Sequence, residues 1–173
     1  MRDSLSLFRY YKQLTERAME PVTDQQLFAV LDGEMNCIAI IVKHLAGNMR
    51  SRWMNFLISD GEKPDRKRAA EFENPPATRA ALMKLWEEGW SWVFTALEPL
   101  SDADIERTVM IRGEPHSVMQ AINRQLAHDA YHCGQIVFLA KHLQGKQWKA
   151  LAVPRGKSEE FNQRVAAQEI SQR

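Results

Sequence analysis

Only two cysteines occur among the 173 residues, Cys37 and Cys133, and each falls inside a helical apolar pattern rather than at a loop position. This placement excludes a disulfide scaffold and fits a reducing compartment. No apolar run approaches the ~20 residues that a membrane-spanning helix needs, and the opening MRDSLSLFRYYKQL lacks the continuous apolar centre of a signal peptide. The chain is therefore expected to be cytoplasmic, with no membrane partner. An excess of charge of one sign is also missing: 23 Lys and Arg stand against 22 Asp and Glu, a formal charge of +1. That balance argues against nucleic acid as a main partner, which would demand a basic face. There is no Glu-x-x-His pair for a di-iron carboxylate site, no glycine-rich phosphate loop and no Gly-x-Ser-x-Gly elbow. Nucleotide-binding and serine-hydrolase chemistry thus have no local support.

What is present is helical period. Leu7, Tyr11, Leu14 and Ala18, with Phe8 beside them, predict an amphipathic helix over 3–19, and Pro21 ends it. Thr23 and Gln26 have capping-box spacing and predict a short helical turn reaching Leu31. Ile38, Ile41, Val42, Leu45, Met49, Trp53 and Phe56 keep helical period over 34–57, although Ile40-Ile41-Val42 alone reads equally as strand. Gly47 within it suits the close approach of a neighbour. Residues 59–76 carry alternating charge and turn residues without apolar period, which predicts a long loop, either solvated or laid over a pocket. Thr78 caps a third long helix over 78–97, carrying Trp86, Trp90 and Trp92, which cannot all share one face.

After a short turn at Ser101, Thr108-Val109-Met110-Ile111 and the turn Arg112-Gly113-Glu114 predict a small strand or hairpin. Ser117 with Gln120 then opens the longest helix, which Gly145 ends, and Gly134 is read there as permitting close helix approach. A tail from about 146 holds Trp148, Pro154 and a capping signature at Ser158, and its last six residues, QEISQR, are expected to be disordered. The pattern gives an all-α fold: one domain over 1–173, a four-helix bundle with two long connections.

The chemistry concentrates on that longest helix. His128 and His132 are four residues apart, so both project from one face, in line with the apolar stripe Ile122, Ile136, Leu139 and Leu143. His44 lies on the flank of the second long helix. Three imidazoles with an open position form a common catalytic metal arrangement. Spacing alone leaves metal ligands and packed histidines both open. Gln125 and Gln135, three residues to either side of the pair, and Asn48, one turn from His44, are the candidates to orient an imidazole or a bound water. Cys133 points about 100° away from His132 and reads as a packed side chain, and His116 and His142 lie too far along the axis to join the same ion.

Two segments carry a family resemblance. Ile38-Ala39-Ile40-Ile41-Val42-Lys43-His44-Leu45-Ala46-Gly47-Asn48 and His128-Asp129-Ala130-Tyr131-His132-Cys133-Gly134-Gln135-Ile136 resemble the helix-two histidine and the H-x-x-x-H-x-G-Q signature of the DinB/YfiT-like four-helix bundles. Asp60-Gly61-Glu62-Lys63 and Pro154-Arg155-Gly156-Lys157-Ser158 further resemble a branch of that family without an assigned activity. The resemblance implies that His44, His128 and His132 bind one divalent cation, zinc or nickel, and that the protein is a homodimer. It also implies a metal-dependent thiol transferase or hydrolase acting on a small electrophilic molecule, with a low-molecular-weight thiol as cosubstrate. The alternative is a non-catalytic, metal-binding dimeric module for stress or interaction. No catalytic acid or base is assigned.

Overall fold

The computed structural model describes residues 1–170. The QEISQR terminus falls partly outside them: 171–173 are not described, and Gln168–Ile170 form a turn and bend after the last helix. Among the described residues the fold is mostly helical with one small sheet. In order come α1 (Arg2–Met19), α2 (Asp24–Leu27), α3 (Ile38–Trp53), α4 (Arg79–Leu97), β1 (Thr108–Ile111), β2 (Glu114–Ser117), α5 (Val118–Gln144) and α6 (Ser158–Ala166). The four long helices close a ring, with α1 against α5, α5 against α3, α3 against α4 and α4 against α1.

The core at the centre of this ring is aromatic. Phe8 of α1 meets Trp53 of α3 and Trp90 of α4 edge-on, with centroids 6.2 and 6.3 Å away, the offset geometry that ring quadrupoles favour. Trp86 and Trp90 are fully buried, whereas Trp92 is only partly so. The buried face of α1 is turned only in part from the expected stripe: Phe8 and Ala18 are buried as expected, Thr15 and Met19 join them, Tyr11 and Leu14 are half-buried and Leu7 is exposed. Burying Phe8 fills a larger volume between two tryptophans than Leu7 would. Where α3 and α4 cross, Gly89 makes the approach possible, since a Cβ there would lie 2.8 Å from the Ala46 Cα.

Several element ends differ from the expected ones. α3 starts at Ile38 rather than residue 34, because Cys37 is extended, and stops at Trp53, because Met54 is extended and Asn55 takes a positive φ of 53°. Phe56 still packs on Trp53, centroids 4.5 Å apart, so the apolar period outlasts the helix that it first described. α2 stops at Leu27 and leaves Val30 and Leu31 exposed. Ser158 does not cap α6 but is its first residue, after an uncapped Lys157. The boxes at Thr23 and Ser117 form as expected.

The connection over 59–76 is folded down rather than solvated. Lys63 and Glu71 are buried within it, and Ala69–Phe72 form a 3-10 turn. It is pinned to the β1–β2 hairpin, where Arg112 and Gly113 both take positive φ, as a two-residue turn demands. The Asp60 carboxylate accepts from both turn amides, Arg112 N at 2.8 Å and Gly113 N at 2.7 Å, and Gly61 N donates to Met110 O at 2.7 Å.

Candidate metal centre

His44 comes from the middle of α3, and His128 and His132 from successive turns of α5. Their ligand nitrogens lie within 4.8 Å of one another. His44 Nε2 is 3.2 Å from His128 Nε2, close to the ~3.3 Å that separates two nitrogens in a tetrahedral zinc site with 2.0–2.1 Å bonds. The ring centroids stand 4.6 Å apart for His128 and His132, and 5.3 and 4.9 Å from His44 to each.

Two of the three rings are held from behind. His44 Nδ1 lies 2.8 Å from Glu71 Oε2, and a donated proton there leaves Nε2 as a lone pair facing the other histidines. Phe72 stacks on the same ring with centroids 4.6 Å apart. His132 Nδ1 lies 2.7 Å from the Gln135 side-chain oxygen, which fixes the equivalent tautomer, and Gln135 donates onward to Tyr131 at 3.2 Å. Burial first, and then the neighbouring His128, push the His132 pKa down to about 4, so this imidazole is neutral at neutral pH. The His128 Nδ1 is buried without a hydrogen-bond partner among the described residues, and the Asp129 Oδ1 stands 3.6 Å away.

A family model described as "Protein of unknown function (DUF1572)" matches residues 1–157. The chain belongs to the DUF1572 family. No curated protein matches it. In this DUF1572 chain the matched stretch contains all three histidines and Glu71, and it ends one residue before α6.

Glu71 is the part of the centre that the sequence did not disclose. It arrives from the charged connection, and Gly47 makes room for it: a Cβ on Gly47 would lie 2.6 Å from Glu71 Oε1. The close neighbour of Gly47 is thus a carboxylate. Arg66 grips that carboxylate with two bonds, Nε to Oε1 at 2.8 Å and Nη2 to Oε2 at 2.9 Å. Burial opposes ionisation of Glu71, but the bonds from His44 and Arg66 outweigh it and hold the pKa below the ordinary value. The one legible hint was Phe72, a large apolar residue in an otherwise charged loop.

The three polar candidates have separate fates. Gln135 lies against His132, its Oε1 2.7 Å from Nδ1. Gln125 is buried but donates to Asp129 Oδ1 at 2.7 Å rather than touching an imidazole, and burial pushes the Asp129 carboxyl above its ordinary value. Asn48 is buried with its Oδ1 unpartnered among the described residues. Gly134 opens onto empty space and mediates no helix approach. Cys133 is packed, with the Thr15 hydroxyl 2.8 Å from its sulfur, and burial pushes the thiol up to about 12; it is not an activated nucleophile. The histidines open into a cavity of about 570 Å³, which Asn48, Gln125, Tyr131 and Gln135 also line. This donor set fits a divalent cation: three imidazole nitrogens converge, two of them with the opposite ring nitrogen tied.

Proposed function

We propose that this DUF1572 chain is a single-domain, DinB-like four-helix bundle that holds one divalent cation, zinc or nickel, on His44, His128 and His132. In this reading it acts as a metal-dependent transferase or hydrolase on a small electrophilic molecule. The observation that carries the reading is the convergence of three imidazoles at the floor of a 570 Å³ cavity, with Glu71 and Gln135 holding two of them from behind. A cation held there would supply Lewis-acid chemistry, favouring the deprotonated form of a thiol or water near neutral pH. The chain's own residues do the rest. Glu71 and Gln135 keep the Nδ1 protons in place, Phe72 shields the His44 face, and the cavity leaves space beside the histidines for a nucleophile and an electrophile. A low-molecular-weight thiol is the proposed cosubstrate: its sulfur forms the new bond, its proton goes to solvent, and the electrophile's leaving group departs. The two free, buried cysteines suit a reducing cytoplasm, and a homodimer is the proposed assembly.

Metal analysis of tag-free protein produced with zinc or nickel supplied tests the first step. Wild type is expected to carry metal that a His128→Ala/His132→Ala variant lacks; equally little metal in both would refute the site. Turnover of electrophiles with low-molecular-weight thiols or water, lost on chelation, tests the second step. Metal binding without any such turnover would favour a non-catalytic module.

A further inference from the structure

The same cavity is walled by five arginines, Arg52, Arg66, Arg68, Arg112 and Arg124, and no carboxylate lines it among the described residues. Two acidic groups touch this cluster from behind. Glu62 Oε2 is shared by Arg52, Arg66 and Arg112 at 3.4, 3.2 and 3.3 Å, and Glu71 is taken by Arg66. Arg124 and Arg68 have no carboxylate partner among the described residues; Arg68 lies over the Phe72 ring at 5.3 Å. Arg52 donates to the Gly61 carbonyl at 2.7 Å, and none of its nitrogens is both buried and unpartnered among the described residues, so its remaining N–H donors are open to the solvent of the cavity. Five guanidiniums facing two carboxylates leave a positive excess that a bound cation would increase.

The register of the helices gives this excess a place. On α3, His44, Asn48 and Arg52 follow at four-residue steps, and on α5 so do Arg124, His128 and His132, which puts each set on one helix face. Arg52 and Arg124 also border one neighbouring crevice, so both rows end in an arginine at the same end of the site. Four helical residues rise ~6 Å, so the arginine end begins about one turn from His128. The unpartnered Asn48 Oδ1 lies between the His44 and Arg52 positions on α3.

We propose that this end of the cavity is an oxyanion subsite, in which Arg52 and Arg124 bind a phosphate or carboxylate group of the substrate while the histidine end carries the chemistry. The inference deepens the metal-dependent reading by naming the substrate class. The fork of a guanidinium matches the paired oxygens of either group. Asn48 offers an acceptor to a hydroxyl or amide partway along the same ligand.

Calorimetric titration of the full chain with inorganic phosphate and with malonate, at fixed ionic strength, tests this without activity. Metal-free and zinc-loaded protein are compared, so that failure of the metal site is seen separately. Arg124→Gln removes an exposed guanidinium with no ion-pair partner, and Arg17→Gln, on the exposed face of α1, matches it in charge. Expected is binding of at least one anion by metal-free wild type and by Arg17→Gln, weakened roughly ten- to a hundredfold in Arg124→Gln. Preference between the two anions identifies phosphate or carboxylate as the substrate's group. Binding unaffected by Arg124→Gln, binding only to zinc-loaded protein, or binding of neither anion would overturn the subsite. The readout on metal-free protein does not depend on whether the histidines retain metal.

Discussion

Gly47 and Gly134 occupy helix interiors with opposite surroundings, and substitution separates their roles. A methyl at 47 collides with Glu71, whereas at 134 it meets nothing within 4 Å. Gly47→Ala is therefore expected to displace Glu71 from His44 and weaken zinc affinity about 10- to 100-fold, the range for losing a group that orients a metal ligand. Competition with a chromophoric chelator measures it, and affinity equal to wild type would show that Glu71 does not govern the site. Gly134→Ala should instead stabilise the protein by about 1 kcal/mol through helix propensity alone, read as a rise in denaturation midpoint at unchanged metal affinity. At this scale the histidine pair was legible because spacing along one helix is a property of sequence. His44 meets it only across the fold, with Glu71 behind it, and Glu71 sits in a segment whose charge pattern otherwise reads as solvated.

The helices reveal where local chemistry decides an element and where packing does. The α5 N-terminus is set by a reciprocal box, Gln120 N to Ser117 Oγ at 3.1 Å and Ser117 N to Gln120 Oε1 at 2.8 Å. It was readable from four residues. Ser117→Ala should cost about 1 kcal/mol in chemical denaturation, with α5 intact by circular dichroism; no loss would show that the hairpin, not the cap, positions the helix. The 3-10 turn after Ser101 is closed by Asp104, which accepts from Ser101 N at 2.9 Å and from Arg107 at 2.9 Å. The Ser101 backbone bond first, then Arg107 and the Ser101 side chain, lower its pKa from 3.8 to about 2. Since the folded value is depressed, the stabilisation is present above 3.8 and is lost as pH falls through about 2. A carboxyl titration of Asp104 by NMR should find its midpoint near that lower value, and an ordinary midpoint would count against the closed turn. The C-terminal end of α3 falls short of the apolar pattern because Phe56 extends that period past a backbone that has already turned.

For the whole molecule, the ring of four long helices was foreseeable from four periodic segments, but the close pairing of α3 with α4 depends on Gly89, whose meaning appears only when Ala46 is beside it. The candidate ligands join α3 to α5, 84 residues apart in sequence from His44 to His128. A cation binding the folded chain alone adds stability by mass action, about 4 kcal/mol at a free concentration a thousandfold above Kd. Thermal unfolding of the zinc-loaded protein is thus expected several degrees above that of chelated protein, with the difference abolished in His44→Ala. An equal shift in that variant would place the stabilising ion elsewhere.

The Asp60 tie to the Arg112–Gly113 turn couples two parts of the centre. The connection carrying Glu71 and Phe72 is fastened through Asp60 to the hairpin that leads directly into α5, so the cover over His44 and the base of the helix bearing His128 and His132 are latched together. Asp60 shares the anchoring of that connection with Lys43, whose ammonium donates to the Ala70 and Glu73 carbonyls at 2.6 Å, so the stretch that carries Glu71 is fixed both from α3 and from the hairpin.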